Sequence, residues 1–331
     1  MRSKRAPGLF LIVALLAAFA ALVLLGGCAS DPRIREIAAE YYNIGNAFFE
    51  LGQYEKAIDA YRSALRFDPA LAKADFNLAL TYARMKKLPE TEQLLKKLLA
   101  DDPVNASLMV TLAWAYHLAA RDEEALSQYD AALAIAPENA DAWYNSAVIL
   151  WKMERKQEAL ERFRKLLDVA PDDSEGLFGA GSLLLSMDDP AGAEEYLGRC
   201  VQKKPEDLDA RYLLADALER QRKLSRVLEE YDRILERDAK QANAWFGKAR
   251  LLLTAIEDPD NGLVALRKSL ELGFRDGEAA GLLLATPGLL EREAVEAALK
   301  ARDLLPAAGA APAAPATAPA APDSAPPAAP A

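Results

Sequence analysis

Histidine is almost absent from this chain: His117 is the only one in 331 residues. Catalysis by convergent titratable groups loses its commonest member. Cysteine occurs twice, at Cys28 and Cys200, and neither stands at zinc-ligand spacing. There is no Walker-type phosphate loop. The stretch "DPDNG" at 258–262 opens like a calcium loop but is one residue short, and Ser269 stands where the closing Glu belongs. Acidic pairs such as Asp101-Asp102 and Asp172-Asp173 fall at turns, and adjacent residues do not share a helix face. Positive charge is also in deficit, with 40 Lys+Arg against 50 Asp+Glu. Such a chain repels nucleic acid and anionic headgroups. No enzyme activity, metal, cofactor or nucleic-acid partner is expected. Cys200 reads as a small core residue.

What is present begins with a leader. Arg2, Lys4 and Arg5 precede a run from Leu9 to Leu25 that holds no polar residue. A basic start, an apolar stretch and small residues at its end form a secretory signal over 1–27. The run's 17 residues reach the lower limit for a membrane span. The small residues decide against an uncleaved span. Leu25-Gly26-Gly27-Cys28 resembles the lipobox of bacterial lipoproteins. That resemblance implies cleavage before Cys28, a diacylglycerol (palmitate-bearing) on its thiol and a third acyl chain on its amino group. Two or more chains anchor a protein stably. Gram-negative lipoproteins kept in the inner membrane carry Asp after the cysteine; Ala29 and Ser30 here lean to the outer membrane, facing the periplasm. The leader takes three of the 40 basic residues and none of the 50 acidic ones, leaving a net charge of −13. With Cys28 acylated, Cys200 has no partner for an intramolecular disulfide.

An internal period organises the rest. Pro69, Pro103, Pro137, Pro171 and Pro205 each follow the last by 34 residues. Ala38, Ala72, Ala106, Ala140 and Ala242 keep the same register. The first window supplies Tyr41, Ile44, Gly45, Phe48, Ala57, Tyr61 and Pro69 at the spacing W-x2-L-G-x2-Y…A-x3-F…P. This pattern resembles the tetratricopeptide repeat (TPR) family, whose unit is a pair of amphipathic helices. The resemblance implies an all-α superhelical solenoid of about seven helix–turn–helix repeats. The windows run 38–71, 72–105, 106–139, 140–173, 174–207, 208–241 and 242–275, within 38–275. The second is degenerate (Thr91, Leu95), the sixth has Ala239 for proline, and the seventh carries one extra residue in its turn. Small residues on each first helix (Gly45, Gly181) let the second helix approach, and bulky ones on the second (Tyr61, Leu197) fill the space. Residues 276–305 read as capping helices and 28–37 as a lipid-anchored tether. The segment 306–331, almost only Ala and Pro, reads as a disordered tail.

In the family, outward residues of the first helices line a concave groove. The resemblance places Tyr42, Asn43, Asn46, Phe49, Phe76, Asn77, Leu80, Val110, Trp114, His117, Tyr144, Asn145, Val148, Trp151, Phe178, Tyr212, Asp216, Phe246 and Arg250 there. Tyr and Asn are consensus in these slots; Trp114 and Trp151 are not. Exposed aromatics beside amides suit an extended peptide. Lys73 and Arg250 stand too far apart for the carboxylate clamp of chaperone-type TPRs. The expectation is a membrane-anchored, periplasm-facing scaffold that binds a protein or peptide partner during assembly of an envelope, secretion or pilus complex. The nearest functional resemblance is to TPR lipoproteins that assist secretin assembly. The alternative is an accessory partner of a solute-transport system with a small apolar ligand in the groove.

Overall fold

The computed structural model describes residues 31–304. The readings that fall on 1–30 and 305–331, Cys28 among them, lie outside the described residues. Sixteen α-helices and no strand are found among those residues. They are α1 (Pro32–Glu50), α2 (Tyr54–Phe67), α3 (Ala72–Arg84), α4 (Leu88–Asp101), α5 (Ala106–Leu118), α6 (Asp122–Ile135), α7 (Ala140–Lys152) and α8 (Lys156–Val169). There follow α9 (Ser174–Ser186), α10 (Pro190–Lys203), α11 (Leu208–Arg220), α12 (Leu224–Arg237), α13 (Ala242–Thr254), α14 (Pro259–Glu271), α15 (Gly277–Ala285) and α16 (Arg292–Lys300). Odd and even members from α1 to α14 are the first and second helices of seven TPR-type pairs. Two compact units divide the described residues, 31–145 and 146–304.

The 34-residue period is written into the helix ends. Asn105, Asn139, Asp173 and Asp207 each accept a backbone N–H three residues on, at 3.2, 2.9, 2.7 and 2.9 Å. A side-chain oxygen here satisfies one of the orphan donors of the first turn. The turn inside each pair is periodic too. Gly52, Lys86, Ala120, Glu154, Asp188 and Arg222 all have positive φ, at 34-residue intervals. Each is followed by an N–H that reaches back five residues, as Gln53 does to the Phe48 carbonyl (2.8 Å) and Arg121 to that of Tyr116 (2.9 Å). This Schellman closure needs one left-handed residue, and only the first turn supplies glycine. In the seventh pair the left-handed residue is Glu257, one position late. The extra residue of that turn is absorbed there.

The core follows the slot logic. Ala57, Ala125, Ala159 and Ala193 are fully buried, and Tyr61, Tyr129, Phe163 and Leu197 fill the space four residues on. A Cβ added to Gly45 would lie 2.5 Å from the Tyr61 ring, so α1 and α2 approach as closely as glycine permits. Thr91, in an alanine slot, is buried with its hydroxyl donating to the Lys87 carbonyl at 2.9 Å. Cys200 is buried in the core. At the end of the 146–304 unit, α15 and α16 cover the last pair: Leu283, Leu289, Val295 and Leu299 join Leu253, Leu266 and Leu270 in one apolar cluster.

One boundary differs from expectation. The sequence predicts a tether over 28–37, whereas α1 starts at Pro32. Asp31 caps it by accepting from the Arg33 N–H at 2.9 Å, and proline is preorganised for the first helical position.

Candidate peptide-binding face

Within the 31–145 unit the expected lining residues sit on α1, α3, α5 and the start of α7. Tyr42, Asn46 and Asn77 are half-buried and come together. Asn77 Nδ2 donates to Asn46 Oδ1 at 2.8 Å and to the Tyr42 hydroxyl at 3.2 Å. Asn46 Oδ1 also accepts the Tyr61 hydroxyl at 2.8 Å. Burial pushes the Tyr61 phenol well above its ordinary range, so it stays a donor. With Phe49, Glu50 and Leu80 these residues line a cavity of about 170 Å3. Within the cluster, Asn46 Nδ2 is left as an unused donor and Asn77 Oδ1 as an unused acceptor among the described residues. One free donor and one free acceptor beside apolar rings match the two hydrogen-bonding groups of a peptide unit. Lys73 Nζ lies 4.5 Å from the Tyr42 ring centroid, where the cation is held by the aromatic face.

The same pair of slots recurs two repeats later as Trp114 and Asn145, again 31 residues apart. Asn145 is fully buried, and neither its Nδ2 nor its Oδ1 has a hydrogen-bond partner. The Trp114 indole N–H is buried and unpartnered as well. Buried polar atoms are nearly always satisfied in native proteins, and each orphan asks for an explanation.

The expectation of exposed rings is not met. Trp114 is 3% and Trp151 4% exposed, and Phe76, Tyr144 and Asn145 are buried too. The causes are local. The Arg84 guanidinium stacks over Trp114 at 5.1 Å. In the other unit, Trp151 sets its ring edge-on to Phe163 of α8, with centroids 6.4 Å apart. Asn43 is exposed and stands apart from the amide cluster. His117 is half-buried, with Nδ1 2.5 Å from Asp122 Oδ1 at the start of α6.

In the 146–304 unit, half-buried Tyr212 packs edge-on to Tyr231 at 6.4 Å, and burial pushes its phenol up to about 12. Asp216 and Arg250 border a polar cavity of about 720 Å3. Their charges are spent nearby: Arg250 forks onto Glu219 with both bonds 2.5 Å, and Arg220 onto Asp216 at 3.1 and 2.9 Å. Among the described residues no three His, Cys, Asp or Glu gather as metal ligands.

Neither the polar role of Tyr61, whose slot calls only for packing bulk, nor the place of Glu50 in the cavity lining is legible in the repeat pattern. A tyrosine where phenylalanine also serves, as at Phe163, was the available signal for Tyr61.

Three family models of the tetratricopeptide repeat match, over residues 45–86, 76–140, and 123–177 with 184–251. Together they span more than half of the chain. No curated protein matches. Among solved structures, the TPR protein YrrB, described as having an unusual peptide-binding site, is 23% identical; the alignment covers 54% of this chain and 92% of that one, with a TM-score of 0.49. A tetratricopeptide repeat protein from Parabacteroides merdae is 18% identical over 81% of this chain and 99% of its own, with a TM-score of 0.48. PilF of Pseudomonas aeruginosa is 22% identical over 80% and 98%, with a TM-score of 0.41. The period, the slot residues and these family matches agree, and the chain belongs to the tetratricopeptide repeat family.

Proposed function

We propose that this protein is a non-enzymatic scaffold, anchored to a membrane through lipidated Cys28 and facing the periplasm. It holds an extended segment of a protein partner during assembly of an envelope, secretion or pilus complex. The observation that carries the peptide reading is the set of unsatisfied polar groups on the first helices of the 31–145 unit. Asn46 and Asn77 keep one donor and one acceptor open, and Asn145 and the Trp114 N–H are buried without partners. A peptide backbone presents alternating donors and acceptors and completes such a face. The Tyr42 cavity, about 170 Å3, is smaller than the roughly 300–1,000 Å3 of small-molecule pockets, which favours a side chain of a peptide over a separate apolar ligand. The lipobox Leu25-Gly26-Gly27-Cys28 supports the anchor and Ala29-Ser30 the outer membrane.

Two measurements test the two parts. Cells labelled with a palmitate analogue should show an acylated chain that disappears in Cys28→Ser; label persisting in that variant ends the anchor reading. Pulldown from solubilised membranes should lose its partner in Asn77→Ala/Asn145→Ala. Retention of the same partner by that variant contradicts the peptide face.

A further inference from the structure

The first pair leaves open an apolar face that the later pairs bury. Ile44 is 45% exposed, whereas residues at the same slot one, two, four and five repeats on, Leu78, Leu112, Ala180 and Leu214, are 4, 2, 0 and 2% exposed. Phe48 is half-exposed, and its counterparts Tyr82, Tyr116, Leu184 and Leu218 are buried. In the stack those slots are covered by the second helix of the preceding pair, as Leu78 and Tyr82 pack on Ile58 and Tyr61. The far end of the chain has α15 and α16 as a cover; α1 has no such cover among the described residues.

The open face has a period. Ile34, Ile37, Tyr41, Ile44, Phe48 and Leu51 succeed one another at steps of 3, 4, 3, 4 and 3. Ile37, Tyr41, Ile44 and Leu51 count among the exposed large apolar residues, and Tyr41 stacks on exposed Phe67 of α2, which widens the stripe. A 3.5-residue apolar period is the seam of two helices packed side by side.

We propose that this stripe is a self-association surface, on which α1 of one copy packs in register and in parallel against α1 of a second copy. Other occupants fit less well. The segment 306–331 is almost only alanine and proline and carries none of the large apolar side chains such a seam needs. A lipid surface calls for basic flanks, but Glu36, Glu40 and Glu50 accompany Arg33 and Arg35 along α1. A second copy needs no further chemistry, because the seam is complementary to itself. The parallel sense rests on the proposed anchor: Cys28 lies four residues before Pro32, so two lipidated chains in one leaflet present both α1 starts at the same end. Association itself does not depend on the anchor.

The test uses both forms. In membranes carrying the full chain, Ile44→Cys should give a disulfide-linked dimer on mild oxidation, because position 44 meets itself across a parallel, in-register seam. Asn43→Cys, exposed on another face, should not. A linked dimer of Asn43→Cys equal to that of Ile44→Cys overturns the proposal, as does an Ile44→Cys adduct only with a different protein or no adduct at all. For the chain from residue 28 with Cys28→Ser, light scattering should give twice the chain mass, and Ile44→Asp should halve it with the circular dichroism spectrum unchanged. A monomeric parent sinks the proposal whether or not Cys28 is acylated. If the soluble chain is dimeric while the membrane form links through a residue other than 44, the parallel pairing is wrong. Loss of acyl label leaves the light-scattering result intact, so the two readings fail separately.

Discussion

Replacing Asn145 with leucine should make the free protein more stable and the binding face worse. Asn145 is fully buried and both of its polar side-chain atoms lack partners. A buried polar group left unsatisfied costs about 1–3 kcal/mol, and an apolar group of the same shape avoids that cost. Asn145→Leu should therefore raise stability by about 1–3 kcal/mol. The internal control is Asn77, the same slot two repeats earlier. Its amide donates twice, to Asn46 and Tyr42. Losing two hydrogen bonds worth about 0.5–1.5 kcal/mol each should make Asn77→Leu less stable by about 1–3 kcal/mol. The pair thus predicts opposite signs for one substitution in one slot. Urea titration reads them as midpoints displaced in opposite directions with the slope unchanged. Affinity for a peptide selected against the native protein from a random-sequence library should fall at least about tenfold in both, equivalent to about 1.4 kcal/mol. A gain of stability with a loss of binding marks a group kept for function. If Asn145→Leu is destabilised as much as Asn77→Leu, Asn145 is satisfied in solution and the reasoning fails.

Ala120 sits at φ +57° in an exposed turn; left-handed backbone costs an L-residue roughly 1–2 kcal/mol and glycine about 0.5–1 kcal/mol of entropy, so Ala120→Gly should stabilise modestly in thermal melts and Gly52→Ala should destabilise. Burial alone would raise the Glu194 pKa, but hydrogen bonds from Lys223, Arg226 and Gln221 outweigh it and hold the carboxyl below its ordinary value. That contribution is present above the unfolded pKa and lost as pH falls through the folded one. Glu194→Gln should therefore lower the melting temperature near neutrality and leave a shallower loss on acidification. Burial pushes the Cys200 thiol up to about 11, so in Cys28→Ser a thiol reagent at mildly alkaline pH should label the chain only after denaturant is added.

Much of the fold was legible because each slot carries its reason in its size. Alanine at 57, 125, 159 and 193 and an aromatic or leucine four residues on announce a close helix pair, and these are among the most buried residues. The left-handed turns were not legible, since Lys86, Glu154 and Arg222 show no glycine to mark them. Of the binding face, the slots were readable and the exposures were not. Trp114 is covered by Arg84, thirty residues away in sequence, and Trp151 by Phe163 on the following helix. A slot also takes its burial from its place in the stack: Ile44 carries the same pattern signal as Leu78 but lies on the open first pair.

The central claim is that the first helices of the 31–145 unit hold an extended segment of another protein. A photoreactive phenylalanine analogue at Phe49, which lines the Tyr42–Asn77 cavity, tests it in cells expressing the full chain. Irradiation should give one dominant protein adduct, with the crosslink mapped to a short stretch of the partner that lacks helical periodicity, and the adduct should vanish when Asn77→Ala/Asn145→Ala is added. Adducts that form equally from a control position at exposed Arg164, or a crosslink at Phe49 to lipid or a small molecule instead of protein, would contradict it.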